Sequence, residues 1–176
     1  MKIRQQGFTL VELVIVIILL GILAAAALPR FLDVTAQAQT AAVEGMAGGF
    51  AAGVSLVKAQ WTADGNSRGT AGAEVELDGD SIFANENGWP AKTSNGNNTE
   101  STSQTAEECL EIWEFILQNP PSATTSNTVT GFDYQVSVDT ANSLCEYNLV
   151  INEVLDPDGR MFSYNVATGQ VLITTP

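Results

Sequence analysis

The chain has 176 residues, of which 45% are hydrophobic and 15% charged, and its 20 acidic and 7 basic side chains give a formal net charge of −13. This length fits one compact domain plus an extended element and is too short for two full domains. The acidic balance excludes nucleic acid as an expected partner, because like charge repels the phosphate backbone. The sequence contains no histidine, the most common general base and metal ligand, so we do not expect an enzyme.

The N-terminus combines a short basic segment with a long apolar run. Residues 1–7 read MKIRQQG, and the run from Phe8 to Leu28 contains a single charged side chain, Glu12. About 20 helical residues cross the hydrocarbon core of a bilayer, so residues 8–28 are predicted to form a transmembrane helix. The basic residues of the short segment predict that it stays in the cytoplasm and that the chain after the span is exported.

A cleavable secretory signal, cut near Ala24 to Ala27, is the alternative interpretation of this run. Two features disfavour it: the stretch Leu13 to Leu28 is long for a signal core, and Glu12 interrupts what should be a charge-free segment. A carboxylate in a membrane helix costs about 2.5–3.5 kcal/mol on insertion scales, so it indicates a partner. A cut after Gly7 would supply one, because the new amine of Phe8 would lie one helical turn before Glu12.

The string GFTLVE from Gly7 to Glu12, with its basic leader and apolar continuation, resembles the class III signal of type IV pilins and type II secretion pseudopilins. This resemblance implies that a prepilin peptidase cuts after Gly7 and that Phe8 becomes the N-methylated first residue. It also implies that Glu12 is the assembly carboxylate, which neutralises the amine of a neighbouring subunit. The resemblance is strong over about the first 60 residues and concerns only the architecture beyond them.

The helical pattern continues to Trp61, so the predicted helix spans residues 8–61. Pro29 lacks an N–H and predicts a kink near the end of the span, and Gly21 is a second weak point. The resemblance implies that this segment partly unwinds in assembled filaments. Beyond the proline, bulky residues at steps of three and four predict the face that packs on a globular head: Val43, Met46, Phe50, Val54, Val57 and Trp61.

A second stripe, made of small residues, lies on the opposite side of the same helix. Its members are Ala41, Gly45, Gly48, Ala52, Ser55 and Ala59. Each exposed helical glycine costs about 1 kcal/mol relative to alanine, whereas small residues allow two helices to approach closely. We therefore expect this stripe, called the small-residue seam below, to contact helices of other subunits. Tolerant surface positions are the alternative.

Residues 62–176 are predicted to form the globular head. A turn-rich region contains a short strand at Ala73 to Leu77, and Thr93 to Thr105 forms a polar loop of low complexity. Glu107 to Leu117 is predicted to be a short helix, with Thr105 as N-cap and a glutamate at capping-box spacing.

Four strand-like segments complete the head: residues 132–138, 147–151, 161–166 and 171–175. They predict an antiparallel meander with one face on the N-terminal helix. The fold class is therefore α+β, a ladle in which a long helix lies on a small sheet, as the resemblance also implies.

Cys109 and Cys145 are most simply explained as one disulfide in an exported chain, joining the short helix to a central strand. A common pilin pattern places its second cysteine near the C-terminus, whereas here 31 residues follow Cys145. This departure weakens the likeness to the best-known type IVa major pilins. The short helix, with its cysteine, Trp113 and a following double proline, is similar to mannose-sensitive haemagglutinin (MSHA)-type pilins.

One acidic turn resembles the opening of a calcium-binding loop. Asp156, Asp158 and Gly159 have the spacing, but the further ligands and the closing glutamate of such a loop do not follow. A plain turn is the preferred interpretation, so we expect no metal and no other cofactor.

Taken together, these features predict a structural pilin of a Gram-negative bacterium that polymerises through its N-terminal helix and serves adhesion or motility. Its expected partners are other subunits, a prepilin peptidase and the inner-membrane assembly machinery. The precursor is expected in the inner membrane with a periplasmic head, and the mature subunit in an extracellular pilus. Three alternatives remain: a pseudopilin in a periplasmic pseudopilus, a minor pilin, and a membrane-anchored binding module that does not polymerise.

Overall fold

The computed structural model describes residues 8–93, 104–139, 141 and 143–176. The predicted leader and most of the predicted polar loop lie outside these residues. The chain divides into two compact units, Met1–Gln39 and Thr40–Pro176. The predicted head began at residue 62, but the second unit also contains the C-terminal half of the first helix, because that half supplies part of the hydrophobic core.

The first helix, α1, spans Leu10–Ala63, two residues later at each end than predicted. It includes both Gly21 and Pro29, so the helix continues past the proline. A proline removes one backbone hydrogen bond but does not end a helix whose neighbouring bonds are retained. The predicted kink at these two positions stays a prediction.

Between Thr40 and Ala63, α1 buries one face in the second unit. The buried side chains follow steps of four and three: Val43, Ala47, Phe50, Val54, Val57 and Trp61. Met46 was predicted to belong to this stripe and is only half-buried. Met46 and Ala47 flank the line through the other five residues at nearly equal angles on opposite sides, so the side on which the rest of the second unit packs decides that Ala47 is the buried one.

The predicted strand at Ala73 to Leu77 is the first strand of a separate three-stranded antiparallel sheet. Its strands are β1 (Ala73–Leu77), β2 (Asp80–Ala84) and β3 (Pro90–Lys92). The prediction of this first strand is confirmed, whereas β2, β3 and the sheet they form with it were not predicted. The last two strands lack a clear alternation of apolar and polar residues, which is why the sequence pattern did not indicate them.

The predicted meander forms the second sheet, in the order β4-β5-β6-β8-β9, with β7 paired to β6. Its strands are β4 (Ala123–Thr124), β5 (Tyr134–Asp139), β6 (Leu144–Ile151), β7 (Val154–Leu155), β8 (Met161–Asn165) and β9 (Gln170–Thr174). The pairs from β5 to β9 are antiparallel, as predicted. The short β4 was missed and pairs with β5 in parallel.

The inward face of β6 changes along the strand. Tyr147 is buried, as expected from the alternation, but Val150 is buried in place of its neighbours Leu149 and Ile151. The pairing of β6 with β8 ends at Asn148, and from Val150 onward the strand pairs with β7 instead. This change of partner shifts the alternation by one residue.

The short helix, α2, spans Ala106–Ile116 and begins with the predicted capping box: the Thr105 side chain accepts from the Glu108 amide, and the Glu108 side chain accepts from the Thr105 amide. Cys109 of this helix forms the predicted disulfide with Cys145 of β6, with Cα atoms 5.5 Å apart. The bridge fixes the short helix to a central strand of the second sheet.

Aromatic side chains join α1 to the second sheet. The Phe50 ring lies 5.2 Å from the ring of Tyr147, 5.5 Å from that of Phe162 and 5.5 Å from that of Tyr164. The hydroxyls of Tyr147 and Tyr164 both donate to backbone carbonyls, Tyr147 to Cys109 and Tyr164 to Pro90, each over 2.9 Å. Both hydroxyls therefore have hydrogen-bond partners, and the aromatic core joins α1, α2 and the second sheet.

Candidate assembly interface

Glu12 caps the start of α1. Its carboxylate accepts from the Thr9 amide at 2.9 Å and from the Thr9 hydroxyl at 2.6 Å, and the Thr9 hydroxyl accepts from the Glu12 amide at 3.2 Å. This arrangement is a capping box, which satisfies N–H groups that have no partner within the helix. Thr9 was not singled out by the sequence analysis, although the Thr-x-x-Glu spacing is the signature of this motif.

The geometry brings the predicted cleavage site close to this carboxylate. Phe8 precedes Thr9 directly, and the Thr9 amide already contacts Glu12. A free amine on Phe8 would therefore be only one residue along the chain from the amide that contacts the Glu12 carboxylate. Gly7, on the other side of the predicted cut, lies outside the described residues.

The apolar half of α1 is uncovered. Every residue from Phe8 to Leu28 is exposed, and Leu10–Leu28 is long and apolar enough to cross a membrane. A second stretch, Val34–Ala63, passes the same test of length and composition, but it contains the face that forms the core of the second unit. A helix that is hydrophobic all round is stable only in lipid or among other apolar surfaces.

All six members of the small-residue seam are exposed. A Cβ atom added at Gly45 or Gly48 would meet nothing within 4 Å, so the fold of the chain itself does not require glycine there. Leu56, which was not among the predicted residues, borders the seam and is 57% exposed. The seam is therefore an apolar helix face that is open to close approach by another molecule.

Two nearby glycines have a different role. A Cβ at Gly53 would lie 2.6 Å from Cγ2 and 3.0 Å from the carbonyl oxygen of Ile116, and one at Gly49 would reach Leu117. The end of α2 thus approaches the α1 backbone at these positions. Gly53 therefore serves the packing of the second unit rather than the seam, whereas an added Cβ at Gly49 would make only an ordinary contact.

The acidic turn that resembles a calcium loop binds a guanidinium. Arg160, which is 3% exposed, contacts Asp156 at 2.8 Å and Asp158 at 2.7 Å. Its Nε donates to the Thr40 hydroxyl of α1 at 3.1 Å, and the Gly159 amide closes the turn on the Asp156 carbonyl. Among the described residues no three His, Cys, Asp or Glu side chains converge as a metal site would require.

Comparison with known proteins places these features in a family. A family model described as "Prokaryotic N-terminal methylation motif" matches residues 2–28. The type IV major pilin protein PilE of Neisseria gonorrhoeae is 31% identical over 166 residues, which cover 84% of this chain and 98% of PilE. The chain belongs to the type IV pilin family.

Other relatives match mainly over shorter stretches. The type IV narrow pilus major component PilA5 of Thermus thermophilus is 57% identical over 44 residues, which cover 25% of this chain and 38% of PilA5. The fimbrial protein EcpC of Eikenella corrodens is 46% identical over 70 residues, 38% of this chain and 46% of EcpC. The chain thus spans less than half of these two relatives. No solved structure matches it significantly.

Proposed function

We propose that this protein is the structural subunit of a type IV pilus. The observation that carries the proposal is the uncovered apolar helix Leu10–Leu28 with a single carboxylate in its first turn. Such a helix is stable in a membrane as a precursor and among the helices of other subunits after assembly. Because lipid is as apolar as the filament interior, hydrophobicity alone does not favour the polymer over the membrane-inserted subunit. A specific interaction between charged groups of neighbouring subunits is needed.

The pair is Glu12 with a methylated amine on Phe8. A prepilin peptidase cuts after Gly7 and creates this amine, and the carboxylate of an adjacent subunit neutralises it. In the uncut chain the carboxylate is held by Thr9, so its lone pairs are satisfied until the amine appears. A buried charge pair of this kind fixes register, since leaving one partner alone in an apolar interior costs several kcal/mol.

The small-residue seam extends this contact beyond the membrane span. Its glycines and alanines let the α1 helices of neighbouring subunits come close, while the opposite face remains in the head. The precursor lies in the inner membrane with its head in the periplasm, and the assembly machinery there transfers it into an extracellular filament.

A pilus is favoured over a type II secretion pseudopilus by the relatives, whose names are those of pilus and fimbrial components. In such a filament the protein serves adhesion or motility as a structural element and is not an enzyme. The more specific likeness to MSHA-type pilins stays a prediction.

Removing the charge of Glu12 tests the proposal. Glu12→Gln should leave the precursor in the membrane with a folded head, and should lower the amount of sheared filament about tenfold or more, because the amine loses its counter-ion. Glu153→Gln, which changes an exposed acid in the turn before β7, is the matched control and should assemble normally. Equal filament yields from the two variants would contradict the proposal, as would a wild-type protein that forms no filament at all.

A further inference from the structure

Two basic side chains of the second unit converge on one cavity. The open cavity has a volume of about 360 Å³ and is lined by Lys58, Arg68, Asn87, Trp89, Ala167 and Thr168. The Lys58 ammonium donates to the Asn87 carbonyl, and Arg68 Nε donates to the Asn87 side-chain oxygen at 3.2 Å. A single asparagine therefore holds both cations at one place.

Among the described residues, Lys58 and Arg68 are the basic groups of the second unit that have no acidic partner. Residues 40–176 contain four Lys and Arg side chains. Lys92 contacts Glu108 at 3.6 Å, and Arg160 binds two aspartates. For Lys58 and Arg68, no ion pair with a carboxylate is found in the part of the chain that the structure describes.

Convergence of two cations leaves a site that an anion would stabilise. Burial, and then the charge of Arg68, lower the pKa of Lys58. The Lys58 ammonium lies 4.0 Å from the ring centroid of Trp61 and 5.3 Å from that of Trp89, and these aromatic contacts fix its position. Arg68 uses only its Nε in a hydrogen bond among the described residues, so its two terminal nitrogens present the fork that binds a carboxylate.

The same unit carries a complementary surface. An open groove of about 470 Å³ is lined by Gln60, Asp64, Glu74, Glu76 and Asp78. The four acids are exposed, and no ion pair joins them to a cation within the described residues. Lys58 and Gln60 leave α1 about 200° apart, so the basic cavity and the acidic groove lie on different sides of the helix.

We propose that the basic cavity binds a carboxylate, and that in the filament this carboxylate comes from the acidic groove of a second copy of the chain. The inference rests on the proposed function, since a filament keeps copies at high local concentration. Each subunit offers one surface of each sign, which makes the contact heterologous: it repeats from subunit to subunit without closing and so propagates a helical polymer. Pairing of these charges also offsets the mutual repulsion of acidic subunits, since the full chain carries a net charge of −13.

Cross-linking between separate copies tests the contact. One population carries Arg68→Cys and the other Glu76→Cys, and the two are co-expressed as full-length chains. The native cysteines are joined to each other, so the introduced thiols are the reactive ones. Mild oxidation of sheared filaments should yield a covalent dimer several-fold above that from a control mixture of Arg68→Cys with Glu153→Cys.

Charge exchange within one chain provides the second measurement. Arg68→Glu and Glu76→Arg should each reduce filament yield several-fold, and the double variant Arg68→Glu/Glu76→Arg should recover part of it, because the attraction between these two positions is restored with the signs reversed. The melting temperature of each variant verifies that the head is folded.

The outcomes separate this inference from the proposed function. Normal filaments without the Arg68–Glu76 cross-link, or a double variant no better than the singles, would overturn the contact and leave the pilus assignment standing. If wild-type neighbours in the filament protect the introduced thiol of Arg68→Cys from alkylation, the result supports the contact. Saturable binding of free glucuronate by filaments that show no cross-link would assign the cavity to a soluble anion and overturn the second-copy contact.

Discussion

At the scale of single residues, the helical glycines of α1 have two separate roles that the sequence does not distinguish. Gly48 faces open space, whereas Gly53 lies against Ile116 of α2. Both occur in the same glycine-rich stretch and both have helical neighbours. Only the position of α2, which depends on tertiary packing, tells them apart.

These two positions give opposite predictions for the same substitution. Gly48→Ala should raise the free energy of unfolding by up to about 1 kcal/mol, because alanine restricts the unfolded chain and favours the helix. Gly53→Ala should lower it by about 1–2 kcal/mol, since the cost of overpacking against Ile116 exceeds that gain. Denaturant unfolding of the two purified variants measures the difference. Equal stability would show that α2 does not approach α1 as described.

Individual residues also show how far the sequence could be interpreted. Glu12 was found because it is the single charge in an apolar run, and the disulfide was found because two cysteines allow one pairing. Thr9 was missed although its capping spacing to Glu12 is visible in the sequence. The partners of Arg160 could not be found, because Thr40 lies 120 residues away and only the fold brings it near.

At the scale of elements, periodic segments were predicted well and short ones were not. The buried face of α1, the helix α2 and the strands β5, β6, β8 and β9 follow regular patterns, which determine their type. The strands β3, β4 and β7 have three residues or fewer, and β2 lacks a clear alternation of apolar and polar residues, so the side chains of these strands carry little signal.

The turn between β7 and β8 is tied to α1 by Arg160, and this link is predicted to stabilise the head. Arg160→Met should lower the melting temperature by several degrees, because it leaves the buried Asp156 without its cation. The double variant Arg160→Met/Asp156→Asn should recover part of the loss, since the remaining charge is then removed as well. Calcium or a chelator should leave the wild-type melting temperature unchanged. An increase with calcium would show that the turn binds the metal after all.

At the scale of the whole molecule, the chain combines a buried core with a large exposed surface of apolar helix. The second unit has a closed aromatic core, while the span and the small-residue seam expose apolar helix surface. Exposed surface of this extent indicates contact with lipid or protein. Polymerisation accounts for both exposed regions at once, whereas an anchored monomer accounts only for the span.

The seam can be tested separately from the span. Gly48→Leu should reduce filament yield several-fold while the head remains folded, because the larger side chain keeps neighbouring helices apart. Ala42→Leu, at an exposed position about 100° from the centre of the seam, introduces the same side chain nearby and should assemble normally. Loss of assembly in both variants, or in neither, would contradict a role for the seam.

The central claim is that cleavage after Gly7 creates the amine that Glu12 needs. Mass spectrometry of the N-terminal peptide of the mature protein tests this claim most directly. We predict a chain that begins with N-methylated Phe8. A mature protein that begins after the alanines at 24–27, or one that retains Met1, would contradict it.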